Sequence, residues 1–347
     1  MEENRLLHID QLKGFAIILV VIGHIIFLSD ISFFENTDAT GTIIPRVFIY
    51  TFHMPLFFML SGLLADRMSK KSFIKNFASK FRALILPYIF MGSIYCIFQY
   101  NGAFKNMYIY ESAHQGYWFI LALFLITALF LCMKLIYSVL PPPIASARIS
   151  GASNWLYEFC ILLLPFFIFW LLEHFDIITV PTPIGNILSL SMVVENYRYF
   201  ILGYFLGKYQ EFDRLLRKPA VVFLLMLGFI ILLYLQAKQH AIYSHIPYTL
   251  VRIILCLSIY AVFRANSDKI QKTFSKLSFI GRRSLDIYLI HGLFMLSSYP
   301  ITANYWLLDI LIKLLMSVIL LGIAILTGSL IRSNKYAAFL FFGQKLK

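Results

Sequence analysis

The residues of this chain that could do chemistry stand out because so little around them is polar. His24 lies within GFAIILVVIGHIIFL, an apolar run without a charged residue. Histidine is the side chain whose unperturbed pKa of about 6.5 suits proton transfer near neutral pH. Gly23, directly before it, leaves room for close helix contact or ligand approach. Six further ionisable residues interrupt apolar runs: Glu195, Arg198, Arg252, Asp286, His291 and Lys313. His53 stands near the end of another such run. A charge at the centre of a membrane helix costs about 2.5–3.5 kcal/mol on insertion scales, so each of these is a functional candidate.

Each candidate also has a structural reading. His24 could be a polar packing group bonded to a neighbouring helix. Glu195 and Arg198 are three apart and share a helix face, where they can neutralise each other or line a polar substrate cavity. Arg252 and Lys313 either snorkel outward or line a water-filled vestibule. His291 follows Asp286 by about one and a half turns, so the two need not face each other. The four cysteines (Cys96, Cys132, Cys160 and Cys256) have no metal-like spacing and read as small buried hydrophobes. No metal site is expected.

The elements that must position these residues follow from composition. The chain is 60% hydrophobic and 14% charged, far from the roughly 45–50% and 25% of a soluble domain. Apolar runs bounded by charges, Gly or Pro fall at 14–33, 47–65, 83–100, 117–139, 156–175, 186–207, 219–236, 247–264, 284–300 and 306–331. Several reach the roughly 20 residues that cross a hydrocarbon core. The expected fold is therefore an all-α integral membrane protein of about ten transmembrane helices. It reads as one polytopic domain over 1–347, with a tail over 332–347, no internal repeat and no cleavable signal. His24 falls about ten residues into its helix, roughly 15 Å along it and near mid-membrane.

Charge placement tests that count. With the N-terminus inside, most of the 30 basic residues fall on cytoplasmic segments, and the outer loops hold little beyond Arg46, Lys105 and Lys238. This is the positive-inside pattern, and it puts both termini in the cytoplasm. The net charge of +13 then has a topological origin, and nucleic acid is not an expected partner. The aromatic residues at helix ends (Tyr117, Trp118, Trp155, Trp170 and Trp306) read as interfacial anchors.

The same residues form an ordered series. IDQLKGFAIILVVIGH (Ile9 to His24) resembles the opening signature of the family-3 membrane acyltransferases, a basic residue followed after ten residues by His. FHMPLFFMLSG (Phe52 to Gly62) is similar to the family's second-helix motif, FRALILPY (Phe81 to Tyr88) follows a basic loop, YWFILALF (Tyr117 to Phe124) matches the fourth-helix pattern, and IGRRSLDIYLIHGLF (Ile280 to Phe294) resembles the ninth. The matches keep family order over about residues 5–331, and within the family they look most like the fucose 4-O-acetylase branch.

The resemblance implies transfer of an acyl group, usually acetyl, from cytosolic acyl-CoA to a hydroxyl of a cell-surface or exported glycan, by a multi-pass protein of the inner membrane. It implies an essential role for His24, here expected as general base, with acetyl-CoA as co-substrate and no tightly bound cofactor. Lys13 is expected on the donor side, since three helical turns keep it from touching His24. Arg67, Lys70, Lys80 and Arg82 are expected to meet the donor phosphates. His53, Glu195, Arg198, Arg252 and His291 are expected at the acceptor or as structural polar groups. Many members carry Arg at the position of Lys13 and Arg-x-x-Arg after the second helix. Arg67-Met-Ser-Lys70 stands here, and a Lys keeps the charge without the bidentate fork. A transporter or flippase of a glycan or anionic substrate is the competing reading; it lacks the inverted repeat and broken helix pair expected of many such folds. A reporter fused after Lys347 should read out as cytoplasmic, and a periplasmic signal would overturn this topology.

Overall fold

Apolar side chains leave a membrane segment no water for its backbone, so each run must close its hydrogen bonds internally, and a helix does this with local bonds alone. The computed structural model describes residues 7–28, 40–66, 72–110, 114–140, 152–174, 183–237, 248–294 and 306–346. They form fifteen α-helices. In order these are α1 (Leu7–Leu28), α2 (Thr40–Leu63), α3 (Phe73–Lys80), α4 (Leu86–Tyr100), α5 (Trp118–Val139), α6 (Ala152–His174), α7 (Pro183–Ile187) and α8 (Leu190–Lys208). They continue as α9 (Gln210–Leu216), α10 (Pro219–Ala237), α11 (Tyr248–Thr273), α12 (Leu277–Arg282), α13 (Ser284–Phe294), α14 (Trp306–Ser333) and α15 (Lys335–Phe342). Over their described residues eight of the ten apolar runs each fall on one helix to within two residues, while the run at 83–100 begins in a π-helical turn before α4 and the run at 186–207 is divided between α7 and α8.

Among the described residues, five helical stretches are long and apolar enough to cross a membrane: Leu7–Ile26, Phe73–Phe98, Trp118–Val139, Tyr248–Thr273 and Ile310–Ser333. A sixth is added if α9 and α10, bent by 72° at their junction, count as one span. Shorter apolar helices cover Phe48–Leu63, Trp155–Phe169 and Ser284–Phe294, and α8 carries Glu195 and Arg198 within it. The chain is thus a multi-pass all-α membrane protein, with five or six spans carried by helix length and composition alone.

The helices pack as two compact units. The first comprises residues 1–60 and 209–337, the second 61–208 and 338–347. In the first, α1 is the central element, packed against α11, α12, α13 and α14. Its closest neighbour is α12, and glycine makes that approach possible. A Cβ on Gly14 would collide with the carbonyl oxygen of Leu277, and one on Gly281 with that of Asp10. Aromatic packing completes the core: Phe52 stacks on Phe15 at 6.4 Å and meets Phe48 at 4.7 Å, while Phe15 meets Phe263 at 5.3 Å. At the start of α1, Gln11 donates to the carbonyl of Ser267 at 2.8 Å. Nearby, Asp213 accepts from Tyr260 at 2.7 Å and from Arg264 at 3.1 Å, which ties α9 to α11. Asp286 of α13 receives Arg332 of α14 at 2.6 and 2.7 Å.

In the second unit, α5, α6 and α8 meet around one buried carboxylate. Glu158, whose side chain is 0% exposed, accepts from Lys134 at 2.7 Å, from Tyr204 at 2.6 Å and from Lys208. This charge sits near the start of α6, beside basic residues near the ends of α5 and α8, so the helix ends share one level. Phe130 packs on Phe200 at 5.4 Å and on Tyr204 at 4.9 Å above it. Gly62 and Gly207 permit another backbone approach, since a Cβ on either would strike the carbonyl of Phe200 or Leu63. The π-helical turn Phe81–Ile85 joins α3 to α4, and Arg82 donates from Nε to the carbonyl of Gly343 at 3.1 Å.

One expectation needs correction, and one open choice narrows. Cys96 and Cys256 are buried, but Cys132 and Cys160 are exposed; an apolar helix face that would meet lipid is as hydrophobic as a core face, so the sequence cannot tell them apart. Lys313 is 2% exposed, so it does not snorkel outward from α14. The Glu158 cluster makes its own prediction. Glu158→Ala leaves two ammonium groups facing each other and should lower unfolding stability in detergent by about 3 kcal/mol, because breaking a buried ion pair strands its partners. An unchanged melting midpoint would show that the cluster carries no stability.

Candidate functional site

His24 sits near the end of α1, half-buried. The residue before it decides what stands beside it. A Cβ on Gly23 would lie 2.8 Å from the Cγ2 of Ile49, so the bare glycine lets α2 press against α1 there. Tyr50 of α2 then donates its hydroxyl to the Gly23 carbonyl at 3.1 Å. One turn on, the ring of His53 meets that of Tyr50 edge-on at 5.4 Å. His24 and His53 lie within electrostatic reach of each other, as do His53 and Arg252. The Arg252 guanidinium lies over the Tyr248 ring at 4.2 Å.

From the other side comes His291 of α13. Its ring centroid lies 5.2 Å from that of His24, with the planes inclined at 59°. His291 is 3% exposed and His53 5% exposed, so both sit deeper than His24. Their Nδ1 atoms face backbone carbonyls one turn back, His53 to Ile49 at 2.5 Å and His291 to Ile287 at 2.9 Å. A carbonyl can only accept, so each Nδ1 carries the proton and each Nε2 of the neutral ring presents a lone pair. The Nε2 of His291 is buried and has no hydrogen-bond partner among the described residues. Among those residues, no group of three or more His, Cys, Asp or Glu is placed to hold a metal.

The arrangement therefore gathers His24, His53 and His291 from three helices, with Arg252 beside them. Chemically it offers one accessible imidazole backed by two buried ones, a set that can take up and pass on a proton. Other expected site residues lie elsewhere. Lys13 is half-buried on α1, eleven residues before His24 and so about 16 Å along the axis, level with the Gly14–Leu277 crossing. Lys80 and Arg82 belong to the second unit, as do Glu195 and Arg198. The guanidinium of Arg198 lies 5.6 Å from the Phe166 ring and 5.4 Å from that of Tyr199, a cation–π setting. Arg67 and Lys70 lie outside the described residues.

Sequence reasoning singles out His291 but does not link it to His24, because nothing in spacing says that α13 packs on α1. Glu158, Lys134 and Lys208 are not among the residues that sequence reasoning singles out. The signal for Glu158 was present: a carboxylate two residues into an apolar run, with lysines near the ends of two others.

Comparison with known proteins adds to this geometry. The chain is 33% identical over 144 residues to the nodulation protein NolL of Sinorhizobium fredii, a match covering 38% of each chain. It is 38% identical over 88 residues to the nodulation protein NolL of Mesorhizobium japonicum, covering 25% of this chain and 23% of the relative. These alignments span well under half the length of either relative. No solved structure matches the chain. The family model of the acyltransferase domain matches residues 6–332, a span that holds His24, His53 and His291 together, and the chain belongs to that family.

Proposed function

We propose that this protein is a membrane-bound O-acyltransferase that moves an acetyl group from acetyl-CoA to a hydroxyl of a cell-surface or exported glycan, with His24 as the general base. The observation that carries the reading is the half-open His24 ring on a membrane helix, backed by the buried rings of His53 and His291. Family membership over residues 6–332 supports the reaction class.

A nitrogen of His24 takes the proton of the acceptor hydroxyl as the oxygen attacks the thioester carbonyl. The C–O ester bond forms and the C–S bond breaks. The departing thiolate takes the proton back from the imidazolium and leaves as free CoA thiol. An acetyl-histidine intermediate is the competing route and would give ping-pong kinetics.

The donor is a polyanion, so cations that touch it belong on the cytoplasmic side. Lys13, Arg67, Lys70, Lys80 and Arg82 are the candidates. Arg82 is anchored through Nε to Gly343, which leaves its terminal nitrogens for phosphate. The proposed location is the inner membrane, with both termini in the cytoplasm.

The test is His24→Ala in the full chain. It should reach the membrane in normal amounts and lose about 10²- to 10⁴-fold in radiolabel transfer from acetyl-CoA to glycan. Activity near wild type would rule out His24 as the base. Mass analysis of surface glycans from cells lacking the protein should show the loss of a two-carbon acyl group. Neutralising Lys13 (Lys13→Met) should raise KM for acetyl-CoA more than it lowers kcat, because a donor-binding cation acts before the chemical step. An unchanged KM would remove Lys13 from the donor site.

A further inference from the structure

The geometry points to His291 as the positioning residue that sets the tautomer of His24. This deepens the reading of His24 as a general base, and its structural core can be tested without acetyl transfer.

A neutral imidazole has one N–H and one lone pair, and only the lone pair can act as a base. A base that flips between tautomers presents the wrong nitrogen for part of the time. Fixing it requires an acceptor for the N–H on the far side of the ring, and in many sites that acceptor is a carboxylate or carbonyl. The described surroundings of His24 supply an acceptor of another kind. Nδ1 of His291 is spent on the Ile287 carbonyl at 2.9 Å. Nε2 must then be the bare nitrogen, and it is buried without a hydrogen-bond partner among the described residues. The ring packed against it is His24, with centroids 5.2 Å apart. At that separation two imidazoles can bring nitrogens within about 3 Å, an ordinary hydrogen-bond length, by a rotation of the half-exposed His24 ring.

The arrangement also fits the cost of leaving Nε2 as it stands. A buried acceptor without a donor loses its solvation, and a hydrogen bond from His24 restores a partner. Once made, the bond directs the other nitrogen of His24 away from α13, where a hydroxyl can reach it. His53 cannot be assigned this role on the same grounds, because its ring packs on Tyr50 rather than on His24. His53 instead lies within electrostatic reach of His24, and Arg252 within reach of His53. After proton uptake, the imidazolium keeps its original N–H on His291 and holds the new proton toward the leaving thiolate.

The experiment is magic-angle-spinning NMR on the full chain in lipid bilayers, with all histidine ring nitrogens labelled with 15N and the His24 signals assigned by their loss in His24→Asn. Wild type should show His24 as a single tautomer, with a through-space cross-peak between its protonated nitrogen and Nε2 of His291. His291→Gln puts an amide oxygen close to where Nε2 stood and should keep that single tautomer. His291→Phe fills the ring volume without an acceptor and should give both tautomers of His24. An absent cross-peak, two tautomers in wild type, or a His291→Phe spectrum identical to wild type at His24 would overturn the inference. The wild-type spectrum decides even if a variant fails to fold. In acetyl transfer, kcat of His291→Phe should fall at least about tenfold, with recovery in His291→Gln. Absence of transfer by wild type would sink the proposed function and leave the spectra to judge the tautomer on its own.

Discussion

The contact on which the first unit depends is the one between α1 and α12, where two helices approach backbone to backbone. Gly14 faces the Leu277 carbonyl and Gly281 faces that of Asp10, with no space for a side chain at either position. In lipid, helices gain little from excluding water between them, so association relies on close packing of small residues. Two such residues facing each other hold α1 at a fixed depth against its neighbour. Everything further along α1 inherits that placement. Gly23 repeats the device against α2 near the other end of the same helix, and the positions of His24, His53 and His291 follow from those contacts.

Buried polar groups are answered in two different ways. Glu158 has more donors than it needs, with two lysines and a tyrosine on one carboxylate. Asp213 and Asp286 are each met by arginines. These clusters are closed, since each carboxylate is satisfied by fixed partners, and they read as cross-links between helices. The histidine group is open. It presents bare ring nitrogens, and His291 has one with no donor among the described residues. The proposed role as a base needs that kind of incompleteness, whereas a structural cross-link does not.

How much was legible in the sequence can be judged residue by residue. The helices were, because an apolar run of about 20 residues has no other way to bury its backbone in lipid. His24 stands out as a candidate, because a lone imidazole among Ile, Val and Leu is costly enough to need a reason. The family followed from the order of five motifs. The number of spans was less secure: α8 carries charges, and α9 and α10 meet at a 72° bend that composition does not reveal.

What only the tertiary structure decided is which residues meet. His24 and His291 are separated by most of the chain, and their 5.2 Å contact depends on α13 packing beside α1. The lone pair on Nε2 of His291 depends on a carbonyl one turn back, and on burial that keeps other donors away. The pairing of Lys134 with Glu158 depends on α6 packing beside α5. Hydropathy is a property of single residues and their near neighbours, so sequence determines which segments enter the membrane. The partners of a buried polar group are chosen by helix packing, and packing in lipid turns on where the small residues lie on each helix face.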